Sequence, residues 1–246
     1  MSNENNNNSN LVQRQQAAGT NNNVDNTSRG EWSEARRLGV SPSIDLRRHF
    51  AALARRVKQW SAPTGRPAKI GVTSLDRVRN RNRNVGKSSI AFNLAASLTR
   101  IGGDRILLVE SDFGKYFISR KLGYAGATGL SEIIVDGVEP SECILSTPIN
   151  DLSVLGPGHI SELDSVEMPF DLLGPILDSN FDQFGYLIFD LPVANDLTSC
   201  YSILPYLDGV MLTVEAGKID RKQIDRAKQR LANMGVELIG LVINQV

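Results

Sequence analysis

From residue 69 onward, short continuous apolar runs alternate with longer stretches that have helical periodicity. The apolar runs predict strands, and the periodic stretches predict helices. Strands that are continuously apolar and separated by helices favour a parallel sheet covered on both faces. The predicted fold is therefore α/β, with a doubly wound, mainly parallel sheet flanked by helices. The predicted strands cover 70–74, 105–110, 152–155, 186–190, 209–214 and 237–244, and the predicted helices cover 87–101, 129–135, 168–184 and 220–234.

The first 67 residues have a different character. Asn recurs through the first 30 residues with almost nothing that could form a core, which is typical of disorder. From Ser41 to about Trp60, apolar residues fall on one helical face and arginines occupy other positions. A segment with two prolines then breaks this pattern. We predict a disordered tail over 1–40, a basic amphipathic helix with a linker over 41–67, and a main domain over 68–246.

The formal net charge is zero, but the charges are unevenly distributed. Residues 1–87 carry 16 basic and 6 acidic side chains, whereas residues 88–246 carry 11 basic and 21 acidic ones. Such a split points to a polyanion, a membrane surface or an acidic partner for the basic part. No run approaches the length of a membrane span, and two cysteines do not make a disulfide framework. These features favour a cytoplasmic protein.

The first candidate for chemistry is the segment Val85-Gly-Lys-Ser-Ser89, which follows a predicted strand and begins a predicted helix. Backbone N–H groups at such a helix start can bind phosphate oxygens. Gly86 lets the backbone approach closely, Lys87 would reach the β- and γ-phosphates, and the Ser88 hydroxyl would bind Mg²⁺. The full pattern G-x-x-x-x-G-K-[ST] is incomplete, because its first glycine would fall at Arg81. An ordinary strand–loop–helix turn remains the alternative.

Two of the predicted strands run apolar residues into carboxylates. One ends at Glu110 and Asp112, and the other ends at Asp190. In open α/β sheets the ligand lies beyond the carboxyl ends of the strands. Carboxylates there can hold Mg²⁺, and one of them can take a proton from an attacking hydroxyl. A helix cap or turn is the alternative role for any single one of these residues.

The order of these motifs resembles the bacterial tyrosine kinases (BY-kinases) of capsule and exopolysaccharide synthesis, within the MinD/ParA-like P-loop ATPases. The resemblance covers roughly residues 41–246 and implies ATP and Mg²⁺ as cofactors. Each matching segment is short, and the resemblance depends on their order and spacing. The segments are Val72-Thr-Ser74, Gly86-Lys-Ser-Ser89, Asn93-Leu-Ala-Ala96, Ile106-Leu-Leu-Val-Glu-Ser-Asp112, Gly129-Leu-Ser-Glu132, Leu152-Ser-Val-Leu-Gly-Pro-Gly158, Leu187-Ile-Phe-Asp-Leu-Pro192, Asp208-Gly-Val210, Ala216-Gly217 and Gly240-Leu-Val-Ile-Asn244.

The resemblance implies roles for individual residues. Lys87 would bind ATP and act in catalysis, within a cofactor loop that runs from Val85 to Ser89. Ser88 and Asp190 match the family's metal-binding residues, and Asn244 matches a residue that contacts adenine in related ATPases. Glu110 and Asp112 match an Asp-x-Asp motif. In the family the first of these carboxylates is proposed to activate the substrate tyrosine, and the second would serve catalysis and the metal.

Several departures from the family pattern leave activity open. Glu110 stands where the family has Asp, and a displacement of about 1 Å can cost about 10²-fold in rate. Leu191 replaces a hydroxyl residue, Gly114 replaces an arginine, and the family's C-terminal tyrosine cluster is absent. The phosphate loop is also longer, with four arginines in residues 76–84. These arginines could neutralise triphosphate charge, attract an anionic partner or belong to a solvated insertion.

Three functional hypotheses follow. The chain could be an active kinase of surface polysaccharide synthesis or export, a degenerate pseudokinase acting as a regulatory module, or a MinD/ParA-like partition or positioning ATPase. Asn82 stands where the third class has its dimer-bridging lysine, which disfavours that hypothesis and a nucleic-acid partner. For the first, the resemblance implies a membrane polysaccharide co-polymerase or chain-length regulator as partner, which would recruit the chain to the inner face of the plasma membrane. A Glu-x-x-Arg-x-x-Arg helix supports ring assembly in the family. Asp45-Leu-Arg-Arg48 resembles part of it, with Ala51 in place of the last arginine, and this resemblance implies a homo-oligomer formed through residues 41–60.

Overall fold

The computed structural model describes residues 44–60, 65–75, 86–113, 116–159, 172–193 and 203–244. The predicted tail at 1–40 and the arginine-containing loop at 76–84 lie outside these ranges. No helix within them is long and apolar enough to cross a membrane.

Among the described residues, a seven-stranded sheet in the order β3-β4-β2-β5-β1-β6-β7 forms the centre of the domain. β3 is antiparallel to β4, and the other neighbouring strands are parallel. The structure therefore confirms the predicted mainly parallel sheet and all six predicted strands. The strands are β1 Ala68–Ser74, β2 Ile106–Glu110, β3 Ile144–Ser146, β4 Leu152–Leu155, β5 Tyr186–Asp190, β6 Gly209–Glu215 and β7 Glu237–Asn244.

Helices cover both faces of this sheet. Two predicted helices, at 87–101 and 220–234, are observed to within one residue at each end. A π-helical turn, Glu132–Asp136, occupies most of the predicted helix at 129–135. The α-helices are α1 Ile44–Gln59, α2 Lys87–Gly102, α3 Phe117–Leu122, α4 Pro140–Cys143, α5 Leu173–Ser179 and α6 Arg221–Asn233, and a 3₁₀ turn covers Leu204–Tyr206.

The remaining differences between prediction and structure concern short elements. The predicted helix at 168–184 ends at Ser179, because Phe181 and Phe184 are buried in the turn that leads to β5. Residues 160–171 lie outside the described ranges, and the described helix begins at Leu173. Elements α3, α4 and β3 were not predicted, because they are too short to produce a clear periodicity.

Alternation along the strands divides the core into two layers. Ile106 and Leu108 face the layer that contains α1 and α2, whereas Leu107 and Val109 face the layer beneath α5 and α6. All four side chains are fully buried. Because successive strand residues point to opposite faces, a continuously apolar strand is what a sheet covered on both sides requires.

Helix α1 packs on α2 through the face that the sequence predicted. Ala54 and Val57 are buried there, and the arginines at 48, 55 and 56 are exposed. Lys58 Nζ lies 2.7 Å from Asp104 Oδ2, and Trp60 Nε1 donates to Glu237 Oε2 at 3.2 Å. The amphipathic helix therefore contributes to one of the two core layers of the α/β domain.

Candidate functional site

The site lies at the carboxyl edge of three adjacent strands. β5 lies between β1 and β2, so that Asp190 is paired in register with Val72 on one side and Glu110 on the other. Ser111 N donates to the Asp190 carbonyl at 3.1 Å, and Leu191 N donates to the Val72 carbonyl at 3.0 Å. The strand order thus brings together carboxylates that are about 80 residues apart in the sequence.

Gly86 begins helix α2 with a backbone conformation that favours glycine. Its φ is 76°, in the left-handed region, and a Cβ added there would lie 2.6 Å from Asn244 Nδ2. The side chain of Asn244, at the end of β7, therefore lies directly against the start of α2. Gly86 has no side chain with which to cap this helix, whose first N–H groups have no intrahelical acceptor. A long helix that starts in this way can bind an anion.

Lys87, the first residue of α2, is buried together with two carboxylates. Its Nζ donates to Asp190 Oδ1 at 2.6 Å and to Asp112 Oδ2 at 3.2 Å, and the residue is only 3% exposed. Burial by itself lowers the pKa of Lys87, but the charges of Asp190 and Asp112 raise it above its ordinary value. The ammonium therefore stays charged within this group of three side chains.

Asp190 has one carboxylate oxygen available. The residue is fully buried, and its Oδ2 atom has no hydrogen-bond partner among the described residues. Burial raises the pKa of Asp190, while Lys87 and the Ser88 hydroxyl oppose that rise. A buried, unpaired carboxylate oxygen next to a hydroxyl is costly unless a cation or another donor can reach it.

These oxygen atoms fit a magnesium ion. Ser88, Asp112 and Asp190 offer the hard oxygen ligands that Mg²⁺ prefers, and Ser88 and Asp112 are also nearly inaccessible to solvent. The described residues contain no group of three or more His, Cys, Asp or Glu side chains placed to hold a metal by themselves. Mg²⁺ commonly takes few protein ligands and fills its shell with water and phosphate oxygens.

Glu110 has contacts different from those expected of a catalytic base. Its carboxylate accepts hydrogen bonds from Ile118 N at 2.7 Å, Ser119 N at 2.8 Å and Ser119 Oγ at 2.6 Å. Burial raises the pKa of Glu110 above its ordinary value, and the hydrogen bonds from Ser119 and Ile118 only partly oppose that rise. In this structure Glu110 anchors the start of α3, and its catalytic role stays a prediction.

Four of the predicted site residues lie together. Lys87, Ser88, Asp112 and Asp190 form one cluster, and Asn244 meets Gly86 at its border. Ser89 is half-buried in the first turn of α2, where its carbonyl accepts a hydrogen bond from the side chain of Asn93 at 2.7 Å. Val85 lies outside the described residues.

A further buried carboxylate, Glu132, was not among the predicted site residues. Its Oε2 accepts hydrogen bonds from Gly129 N at 2.7 Å and Ser131 Oγ at 2.9 Å. Its Oε1 lies 2.9 Å from both His159 N and His159 Nδ1. Burial alone would raise the pKa of Glu132, but these hydrogen bonds lower it to about 2. The Gly129-Leu-Ser-Glu132 motif indicated an important segment without revealing its contact with His159.

Comparison with known proteins identifies the relatives of the chain. No protein-family model matches it. It is 24% identical over 162 residues to the tyrosine-protein kinase CpsD of Streptococcus agalactiae, which covers 65% of this chain and 70% of that protein. The kinase domain of the Escherichia coli tyrosine kinase ETK is similar in structure, with a TM-score of 0.69, 19% identity, and coverage of 80% of this chain and 74% of that one.

A plasmid partition protein from Borrelia burgdorferi, bound to AMPPNP, shares the same architecture. Its TM-score is 0.58 at 21% identity, over 72% of this chain and 76% of that one. At such identities the structural likeness shows the fold alone. The predicted resemblance to bacterial tyrosine kinases, within a wider group of P-loop ATPases, is confirmed.

Proposed function

We propose that this chain binds Mg²⁺·ATP and is a BY-kinase-like protein of surface polysaccharide synthesis or export. The observation that carries the proposal is the cluster of Lys87, Asp112 and Asp190 at the uncapped start of α2. Relatives named tyrosine-protein kinase support the reaction class, which is transfer of the ATP γ-phosphoryl group to a protein tyrosine.

In this proposal the start of α2 binds the phosphates. Backbone N–H groups from Gly86 onward would donate to phosphate oxygens, and the ammonium of Lys87 would move onto the β- and γ-phosphates. Asn244 would lie beside the nucleotide, because its side chain already lies against Gly86. Mg²⁺, held by Ser88, Asp112 and Asp190, would supply charge neutralisation at the β- and γ-phosphate oxygens.

The protein's own contribution to phosphoryl transfer would be positioning and charge stabilisation. The tyrosine hydroxyl must lose its proton to an acceptor near the γ-phosphate, and the family resemblance assigns that acceptor to Glu110. Both oxygens of Glu110 accept hydrogen bonds from α3, so the start of α3 would have to release one of them before Glu110 could act.

The contacts of Glu110 favour a second candidate function. A chain whose acidic residue is committed to α3 could bind nucleotide without transferring its phosphoryl group, and would then regulate polysaccharide assembly as a binding module.

Under either function we propose a membrane polysaccharide co-polymerase as partner, which would recruit the chain to the inner face of the plasma membrane. A relative named succinoglycan biosynthesis transport protein, from Rhizobium meliloti, supports a role in polysaccharide synthesis or export; it is 23% identical over 163 residues.

Nucleotide binding is tested by melting the protein in the presence of Mg²⁺, with and without ATP or ADP. Ligand bound only to the folded state raises the melting temperature, by an amount that grows with ligand concentration. We expect this rise in the wild type and its loss in Lys87→Met. The variant Lys222→Met serves as a control, because Lys222 is an exposed lysine on α6 and should leave the rise unchanged. An unchanged wild-type melting temperature would contradict nucleotide binding.

Catalytic status is tested by incubating the protein with labelled ATP, Mg²⁺ and the cytoplasmic segment of a co-polymerase. Phosphotyrosine that disappears in Lys87→Met supports the kinase. A nucleotide-dependent rise in melting temperature without phosphotyrosine supports the regulatory module.

A further inference from the structure

One lysine contacts the two carboxylates that would hold the metal. Lys87 Nζ lies 2.6 Å from Asp190 Oδ1 and 3.2 Å from Asp112 Oδ2. The ammonium therefore already provides the positive charge that Mg²⁺ would bring to these two side chains. The same ammonium is the group that the nucleotide phosphates need.

Burial makes a cation at this position necessary. Asp190 is fully buried and Asp112 is 8% exposed, so that two ionised carboxylates would be strongly destabilised without a counter-ion. Lys87 and a metal ion are alternative sources of that charge. Their simultaneous presence in this small buried space is disfavoured, because each repels the other until phosphate oxygens are present.

We propose that Lys87 is an internal counter-ion that keeps divalent metal away from Asp112 and Asp190 until nucleotide phosphates take up its ammonium. Nucleotide and metal then bind cooperatively, because the phosphates remove the cation that competes with the metal. The inference rests on the proposed function, since it requires that the site take a nucleotide. By linkage, the metal increases nucleotide affinity by the same factor.

A neutral residue at position 87 should allow a divalent metal to bind without nucleotide. In Lys87→Gln the carboxylates lose their counter-ion, and a divalent metal becomes the cation available to replace it. We expect Mn²⁺ to bind this variant without nucleotide about tenfold more tightly than it binds the wild type, within the usual range of coupling between sites. We also expect the variant to lose most of the nucleotide dependence of metal binding.

The chain contains a matched control for the removal of a buried lysine. Lys69 is 2% exposed, pairs with Asp178, and lies at the opposite end of β1 from the site. Lys69→Gln also removes a buried, paired ammonium, but it leaves Asp112 and Asp190 with Lys87. Its affinity for Mn²⁺ should equal that of the wild type under every condition.

The experiment titrates Mn²⁺ into the full chain, with and without AMPPNP, and follows free Mn²⁺ by electron paramagnetic resonance. For the wild type we expect weak binding of Mn²⁺ alone and at least tenfold tighter binding with AMPPNP. A second measurement applies if Lys87→Gln folds too poorly for the titration. Mn²⁺ without nucleotide should raise the melting temperature of this variant, and should not raise that of the wild type or Lys69→Gln.

The outcomes separate this inference from the proposed function. Equal Mn²⁺ affinity of the wild type with and without AMPPNP, in a protein that binds AMPPNP, overturns the inference and leaves the proposed function intact. The inference is also overturned if Mn²⁺ neither binds Lys87→Gln more tightly nor raises its melting temperature. Failure of the wild type to bind AMPPNP with Mn²⁺ overturns the proposed function itself.

Discussion

Replacing Glu132 with Gln is expected to destabilise the protein at neutral pH and to weaken the dependence of its stability on acid. The side chain of Glu132 is 11% exposed, and its carboxylate has four hydrogen-bonding partners on Gly129, Ser131 and His159. Those contacts connect the loop that follows β4 to the π-helical turn. Gln keeps one acceptor oxygen, but its NH₂ group would face the N–H or O–H groups that donate to the other carboxylate oxygen of Glu132.

The pKa of Glu132 sets the size of the effect. In the folded protein it is lowered from an ordinary value of 4.5 to about 2. This difference between the folded and unfolded pKa corresponds to roughly 3 kcal/mol. Because the folded-state pKa is the lower one, this stability is fully present above pH 4.5 and is lost as the pH falls toward 2. At pH 3.5, linkage gives a loss of roughly 1 kcal/mol from this residue.

Urea denaturation followed by circular dichroism, at pH 7 and pH 3.5, tests this prediction. We expect Glu132→Gln to lower the free energy of unfolding at pH 7 by about 2–3 kcal/mol. Between pH 7 and pH 3.5 the variant should lose roughly 1 kcal/mol less than the wild type. Glu142→Gln is the control, since Glu142 is exposed on α4. If Glu132→Gln lies within about 0.5 kcal/mol of the wild type at pH 7, the proposed contribution of these hydrogen bonds is refuted.

Three further substitutions test contacts at the site. Gly86→Ala should weaken nucleotide binding more than Gly103→Ala. Both glycines have positive φ, but only at Gly86 would the added Cβ meet another side chain, that of Asn244. Equal nucleotide affinity of the two variants, measured by calorimetry, would refute this. Ser119→Ala should cost about 1–3 kcal/mol in urea denaturation, because it removes a buried hydrogen bond to the Glu110 carboxylate. Glu110→Asp should cost a similar amount, about 1–3 kcal/mol, since the shorter side chain cannot keep its contacts with α3; unchanged stability would argue against the anchoring role.

Much of the site was predictable because strand ends follow from local patterns. Each of Asp112 and Asp190 comes at the end of a continuously apolar run, and Lys87 begins a long periodic helix. Parallel strands place their carboxyl ends at one edge of the sheet, so that proximity follows from the fold class. The cluster of Lys87, Asp112 and Asp190 is therefore a consequence of sequence pattern together with a general rule of topology.

The orientation of individual carboxylates could not be predicted in this way. Glu110 has several rotatable bonds, and its direction depends on where the first N–H groups of α3 lie. Helix α3 has only six residues and gave no periodic signal. Glu132 likewise contacts His159, which is 27 positions later in the chain, through a loop whose path has no local signature.

The sequence alone determined the fold class, the order of the strands along the chain, the start of helix α2 and the residues that meet at the sheet edge. It did so because burial on both faces requires continuous apolar strands, and because glycine, lysine and carboxylates have distinct chemistry at strand ends. Only the tertiary structure decided which partners those polar groups take. Lys87 pairs with Asp112 and Asp190, and Glu110 accepts hydrogen bonds from α3, because buried charges must find partners among the groups that packing brings near them.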